Sequence, residues 1–155
     1  ITIPSSVTSI GDSAFGYCSG LESIIISSSV TSIGDSAFSF CTHLQSITVE
    51  SNNMNYASRD GILFTRNFES LICFPSNHPY SSYSIPSSVT SIAYSAFSFC
   101  THLQSITIPA SVTSIGNFAF FYCLELRTIS ISHLFKPKIL LIFHWQTCLT
   151  EISFS

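Results

Sequence analysis

Hydrophobic residues recur along the chain in a fixed order with a spacing of 23 residues. Each copy opens with a valine, continues with an isoleucine and an Ala-Phe pair, and then places a cysteine three residues before a leucine. Two apolar residues separated by a single residue close the unit. The copies begin at Val7, Val30, Val89 and Val112. Self-similarity at this period predicts a solenoid, in which each coil packs against its neighbours.

The first half of each unit predicts a short helix. In residues 35–44 the apolar side chains follow the i, i+1, i+4, i+7 spacing of one helix face; they are Ala37, Phe38, Cys41 and Leu44. Asp35 follows Gly34 and can cap the first turn. Since two turns are not stable alone, packing must hold this helix.

The second half of each unit predicts a short strand. Ile47, Thr48 and Val49 alternate between apolar and polar, which is typical of a strand with one buried face. The sequence therefore predicts an α/β repeat solenoid with one short helix and one short strand per 23-residue coil.

One unit departs from this plan. Val30 and Val89 are 59 residues apart, which leaves a unit of 36 residues at about 50–85. It lacks the Ala-Phe and cysteine tract. Residues 61–64 and 71–74 are instead two apolar runs separated by a polar loop, which predicts a β-hairpin.

Residues 1–131 carry the repeats, and residues 132–155 depart from the pattern while keeping part of its register. The residues 23 positions after Leu126, Ile129, Ile131 and Phe120 are again apolar; they are Leu149, Ile152, Phe154 and Phe143. We expect a degenerate last repeat that caps the solenoid. The alternative is a tail that packs otherwise.

Composition narrows the class of protein. Of the 155 residues, 46% are hydrophobic and 8% are charged, which predicts one well-buried domain and argues against disorder. The five Lys and Arg are scattered and the net charge is −3, so nucleic acid is not an expected partner. No apolar run approaches the ~20 residues of a membrane helix. The chain begins without Met, and we expect it to be a piece of a longer protein.

Four of the six cysteines share one repeat position beside Ala, Phe and Leu; they are Cys18, Cys41, Cys100 and Cys123. Free cysteine is among the most buried residue types, and stacked coils would point these thiols in parallel. We therefore predict reduced, buried thiols. Cys73 and Cys148 lie outside this column.

The repeat resembles the BspA-like subfamily of leucine-rich repeats, whose unit is similar to I-P-x-S-V-x-x-I-G-x-x-A-F-x-x-C-x-x-L-x-x-I-x-I. The resemblance covers residues 1–131 and departs at Ala93, where other copies have glycine, and from Ser132 onward. It implies a curved solenoid within a longer surface protein of mucosal bacteria or parasitic protists. It also implies adhesion to host cells and matrix proteins.

The histidines and aspartates of the sequence do not form a recognisable catalytic or metal-binding group. His43 and His102 share a repeat position but lie two units apart, too far for one metal ion. Asp12 and Asp35 are predicted helix caps, which leaves Asp60 as the remaining aspartate. No triad, His-Glu-x-x-His or phosphate-loop motif is present. We predict no enzyme, no metal site and no cofactor.

The outward positions of the predicted strands form two columns, which we call the strand face. One column contains Thr2, Ile25, Thr48, Ser84, Thr107, Ser130 and Ser153, and the next contains Ser23, Ser46, Ser82, Ser105 and Thr128. Small hydroxyl side chains suit any exposed sheet. They also suit a protein-binding or glycan-binding face. A separate aromatic column lies on the predicted helix side and consists of Tyr17, Phe40, Phe99 and Tyr122. It is either a contact strip or a shield between coils.

With no catalytic set present, the resemblance to the BspA-like subfamily implies a non-enzymatic binding module of a cell-surface adhesion protein. Its strand face would contact proteins of host cells or of the extracellular matrix, other repeat proteins, or a glycan. The alternative is a structural scaffold, inside or outside the cell, that spaces other domains or self-associates.

Overall fold

The computed structural model describes residues 1–131 and 150–154, which form a stack of β-coils. Each regular coil contributes one longer strand and one strand of two residues. The longer strands are β2 (Ser23–Ile26), β4 (Ser46–Val49), β8 (Ser82–Ser84), β10 (Ser105–Ile108), β12 (Thr128–Ile131) and β13 (Glu151–Phe154). The short strands are β1 (Ser9–Ile10), β3 (Ser32–Ile33), β9 (Ser91–Ile92) and β11 (Ser114–Ile115). The irregular unit adds β5 (Tyr56–Arg59), β6 (Ile62–Thr65) and β7 (Ser70–Cys73).

The prediction of one helix per coil is wrong, because none of the described residues is helical. Within this part of the chain, accordingly, no helix long and apolar enough to cross a membrane is found. The protein is a β-solenoid. Residues 35–44, predicted as a helix, form consecutive turns in which Ser36 and Phe40 have φ values of 55° and 62°. The other coils repeat this left-handed pair at Ser13 and Tyr17, Ser95 and Phe99, and Phe118 and Tyr122.

Backbone hydrogen bonds between coils explain why turns replace the helix. In a helix each N–H group would bond the carbonyl four residues earlier. Here the Phe15 N–H donates instead to the Ala37 carbonyl of the next coil, at 2.8 Å. The Gly16 N–H donates three residues back, to Ser13, at 2.7 Å. Since alternate N–H groups serve the neighbouring coil, the segment cannot keep a helical ladder, and stacking itself holds the turns.

The predicted strands and their register are present. β10 pairs in parallel with β12, and β12 with β13, so that Ile106, Ile129 and Ile152 are successive partners at the 23-residue spacing. β2 and β4 pair in the same way, as do β1 with β3 and β9 with β11. Phe143 and Leu149, on which the expected cap also depends, lie outside the described residues, as does Cys148.

The irregular unit contains the antiparallel pair β6 and β7 at the place of the predicted hairpin. Strand β5, which the sequence pattern did not predict, pairs antiparallel with β6. β7 then pairs in parallel with the short strand β9. The unit therefore passes from the long-strand side of the coils, where β6 lies beside β4, to the short-strand side. Within β6, Ile62 and Phe64 pack into the core cluster of the later coils, whereas Leu63 packs into that of the earlier coils. The strand therefore separates two halves of the core.

The cysteine prediction holds for three of the four thiols in the column. Cys41, Cys100 and Cys123 are buried and free, and Cys41 donates a hydrogen bond to the Phe15 carbonyl at 3.0 Å. Burial, together with the neighbouring Cys18, raises the pKa of Cys41 to about 11, so the thiol keeps its proton at neutral pH. Cys18 is free but exposed, contrary to expectation.

Candidate functional site

The strand face has the alternation that its sequence predicts. Ile106 and Ile108 point into the core and are almost fully buried, while Thr107 between them is exposed. Parallel pairing aligns Ser84, Thr107, Ser130 and Ser153 in one row. It aligns Ser82, Ser105, Thr128 and Glu151 in the next. We call these two rows the C-terminal patch.

The remaining residues of the strand face form a separate N-terminal patch on β2 and β4. It consists of Thr2, Ser23, Ile25, Ser46 and Thr48, with Thr2 joined to Ile25 through an isolated parallel bridge. Ile25 is the large apolar side chain in this patch and is 39% exposed. The structure brings the predicted residues together as two surfaces on separate sheets instead of one continuous sheet.

The hairpin of β5 and β6 causes this division because it occupies the free edge of β4. The Ile47 N–H donates to the Gly61 carbonyl at 2.8 Å, and the Val49 N–H donates to Ser58 Oγ at 2.9 Å. Gly61 has a φ of 79°, and a Cβ atom there would come within 2.9 Å of the Ser46 Cβ. The close approach of the hairpin to β4 therefore requires glycine at this position.

A histidine that sequence reasoning did not single out lies where the hairpin unit returns to the coils. His78 is 4% exposed, and its ring packs against Phe74 with centroids 4.8 Å apart. Its Nδ1 accepts a hydrogen bond from the Tyr80 N–H at 3.3 Å, and Nε2 lies 2.7 Å from the Asp60 carbonyl oxygen. A neutral ring with its proton on Nε2 satisfies both contacts. Burial lowers the pKa of His78, although the Asp60 carbonyl and carboxylate oppose this effect.

Protonation of His78 is expected to destabilise the fold. Because its pKa is lower in the folded protein than the value of about 6.5 in an unfolded chain, the folded state binds fewer protons below that pH. The stability that neutral His78 contributes is complete above pH ~6.5 and is lost as the pH falls below it. Urea unfolding should show that the free energy of unfolding of the parent protein falls between pH 7.5 and pH 5.5, and that the His78→Gln variant lacks this loss. The exposed His43→Gln control should retain it, and equal losses in all three proteins would contradict this assignment.

The aromatic column forms a continuous strip on the turn side of the solenoid. Tyr17 stacks on Phe40 with ring centroids 4.2 Å apart, and Phe99 stacks on Tyr122 at 4.8 Å. Phe40 and Phe99 are also 4.2 Å apart although the 36-residue unit separates them in sequence. Tyr17 is 73% exposed and Tyr122 is 48% exposed, whereas the two phenylalanines between them are half-buried. The strip therefore shields the ridge and also leaves aromatic surface accessible to a partner.

The strand face and the aromatic strip both offer groups for contact with a partner. His43 and His102 are exposed side chains. Among the residues that the structure describes, no three His, Cys, Asp or Glu side chains are grouped as metal ligands would be. What both surfaces present is hydroxyl and apolar groups fixed on a rigid backbone.

Comparison with known proteins identifies the repeat. The sequence profile of the BspA type leucine-rich repeat region matches residues 1–71 and 70–155, with six copies. The chain belongs to the BspA type leucine-rich repeat family. No curated protein sequence matches it.

Several solved structures, among them leucine-rich repeat proteins, are similar to this fold. A leucine-rich repeat protein from Eubacterium ventriosum is 28% identical, with a TM-score of 0.71, over 85% of this chain and 41% of that one. The pneumococcal vaccine antigen PcpA is 29% identical (TM-score 0.69) over 83% and 38%. A leucine rich cell surface protein from Faecalibacterium prausnitzii is 27% identical (TM-score 0.66) over 97% and 48%. The chain thus spans less than half the length of each.

Proposed function

We propose that this chain is a protein-binding repeat module of a cell-surface adhesion protein. Its strand face contacts proteins of host cells or of the extracellular matrix. Membership of the BspA type family supports this role. So does similarity to a vaccine antigen and to a cell surface protein from two bacteria.

The in-register rows of the C-terminal patch carry the proposal. Successive parallel strands lie about 4.8 Å apart, so each coil adds one outward side chain to each row at a fixed distance. Serine and threonine are short and lose little side-chain freedom when a partner covers them. Within the two rows Glu151 is the single charged residue, and it lies on β13 at the end of its row. Such a face suits many weak contacts over an extended surface.

A spacer role is the second candidate. The Ser105 hydroxyl already donates to Ser82 Oγ at 2.7 Å, so part of the patch satisfies its own hydrogen bonds. A face of this kind needs no partner. The solenoid would then hold other domains apart or associate with other repeat proteins.

Introducing charge on the strand face should distinguish the protein-binding function from the spacer role. Thr48 and Thr107 are exposed and lie on the N-terminal and C-terminal patches respectively. Glutamate at both positions would leave an unpaired charge under any bound protein, and we expect binding to weaken by about tenfold or more. The measurement is binding of the chain to cultured epithelial cells and to immobilised fibronectin, laminin and collagen.

The matched control is Thr8→Glu with Ser114→Glu, which adds two charges at exposed positions on the short-strand side. This variant should bind as the parent does. The two single variants, Thr48→Glu and Thr107→Glu, then show which patch the partner uses. Adhesion that survives the strand-face changes but is lost with the control changes would place the binding surface elsewhere. A parent chain that binds none of these targets would favour the spacer.

A further inference from the structure

A cleft opens on the turn side of the solenoid where its two halves meet. Its volume is about 280 Å³. One wall comes from residues 13–17 and 36–40 of the first two coils, and the other from residues 94–99 and 118–121 of two later coils. We call it the junction cleft. It lies on a different side of the coils from the strand face.

The junction cleft exists because the 36-residue unit lacks the turn segment found in the other coils. Neighbouring turn segments in the second half are joined directly, as where the Phe97 N–H donates to the Ala119 carbonyl at 2.7 Å. At the junction the chain of the irregular unit intervenes, and the Phe74 N–H donates to the Ala96 carbonyl at 2.7 Å. The described turn segments on the two sides of the cleft share no backbone hydrogen bond. A gap therefore remains between the turn segments of the first two coils and those of the two later coils.

Serine hydroxyls supply the polar part of the lining; they belong to Ser13, Ser36, Ser39, Ser95 and Ser98. Within residues 1–131 and 150–154 none of these five hydroxyls has a hydrogen-bond partner. This differs from the C-terminal patch, where Ser105 bonds to Ser82. A hydroxyl group both donates and accepts. The cleft thus offers donors and acceptors that the fold leaves unused.

Aromatic rings supply the apolar part of the lining. Phe118 meets Phe121 at an interplanar angle of 89°, and Tyr94 meets Phe118 at 68°. In an edge-to-face pair, one ring points its edge at the face of the other. Neither face of that first ring is then covered by its partner. Phe118 is 47% exposed. Open ring faces accept the C–H groups of a ligand that packs flat against them.

We propose that the junction cleft binds a neutral saccharide of one or two rings. No charged side chain lines it, so an ionic ligand would gain no partner there. A sugar ring has hydroxyls that both donate and accept, which match the free serines, and an apolar C–H face, which matches the open aromatic rings. The volume of about 280 Å³ lies just below the ~300–1,000 Å³ typical of ligand pockets, which limits the ligand to this size.

Two residues of the aromatic wall give a matched pair of variants. Phe118 lines the cleft, whereas Tyr122 does not, yet their exposed fractions are 47% and 48% and their φ values are 58° and 61°. Phe118→Ala should weaken saccharide binding by about tenfold, because it removes the ring face against which the sugar packs. Tyr122→Ala should change binding less than about twofold.

The probe is a panel of neutral methyl glycosides and disaccharides of glucose, galactose, mannose, fucose and N-acetylglucosamine, titrated into the chain by ligand-observed NMR. Binding should persist between 50 and 500 mM salt, a change that shortens the Debye length about threefold, because no ion pair is involved. Ser39→Glu, which places a charge in the lining, is the second test in case Phe118→Ala fails to fold. Thr107→Glu on the strand face should leave saccharide binding unchanged, so this proposal is tested independently of the protein-binding function.

Three results would overturn the proposal. The first is that no neutral saccharide of the panel binds the parent chain. The second is that a saccharide binds but neither Phe118→Ala nor Ser39→Glu weakens it. The third is that a polyproline peptide binds the cleft and none of the saccharides displaces it, which would make the cleft a peptide groove.

Discussion

Replacing Phe97 by alanine is expected to lower the free energy of unfolding by roughly 3 to 5 kcal/mol. The Phe97 ring is fully buried. It stacks on Phe74 and on Phe120, with centroids 5.1 and 4.9 Å away, and so joins the irregular unit to the coil that follows. Alanine would keep the backbone bonds of this residue and remove the ring, leaving a cavity between three coils.

Ser98→Ala is the control, because Ser98 is adjacent in the same turn and its hydroxyl has no partner among the described residues. It should cost less than about 0.5 kcal/mol. Urea unfolding of both variants, followed by circular dichroism, measures the difference. Equal losses would mean that the ring is not the contact that holds these coils together.

Asn53→Ala is expected to cost roughly 3 kcal/mol or more, since several buried backbone groups lose their partner at once. Asn53 is fully buried, and its side-chain amide donates to the Ser27 carbonyl at 2.9 Å and the Val30 carbonyl at 3.0 Å. Its side-chain oxygen accepts from the Asn55 and Tyr56 N–H groups, both at 2.8 Å. One side chain thus links the second coil to the start of the hairpin unit.

Asn52→Ala provides the comparison, because Asn52 is the exposed neighbour in the same turn. The Asn52→Ala variant should lose less than about 0.5 kcal/mol of unfolding free energy in the same experiment. Asn53→Asp gives a further check, since a carboxylate keeps the two acceptor contacts but places negative charge beside two carbonyl oxygens. If Asn53→Ala were as stable as the parent, the four contacts would not hold the hairpin unit to the second coil.

The positions that fill the core could be predicted from the sequence. Ala96, Phe97, Cys100 and Leu103 are each at most 1% exposed, as their recurrence at fixed repeat positions indicated. The inward and outward alternation of the strands was predictable for the same reason, because a period of two places successive side chains on opposite faces. These features depend on the order of side chains within one unit, which a single sequence displays directly.

The local structure of the turn segment could not be predicted in this way. The spacing of Ala37, Phe38, Cys41 and Leu44 fits one helix face, and the same four residues are buried in the structure without a helix. Two consecutive turns also return the chain to the core at these positions. Whether the segment forms a helix or two turns depends on where its N–H groups find carbonyl partners, within the segment or on the next coil. An i, i+1, i+4, i+7 pattern does not contain that information.

By itself, then, the sequence determined the length of the repeat, its register and the side chains that face inward. Tertiary structure decided which coils touch across the 36-residue unit. Phe40 meets Phe99, Asn53 holds two carbonyls of the second coil, and the hairpin at Gly61 divides the strand face. Each of these contacts joins residues that are distant in the chain, and its geometry depends on how the irregular unit crosses the stack. Stacking of neighbouring coils also supplies the hydrogen-bond partners of the turn segments. The repeat therefore folds as a β-solenoid and not with a helix in each coil.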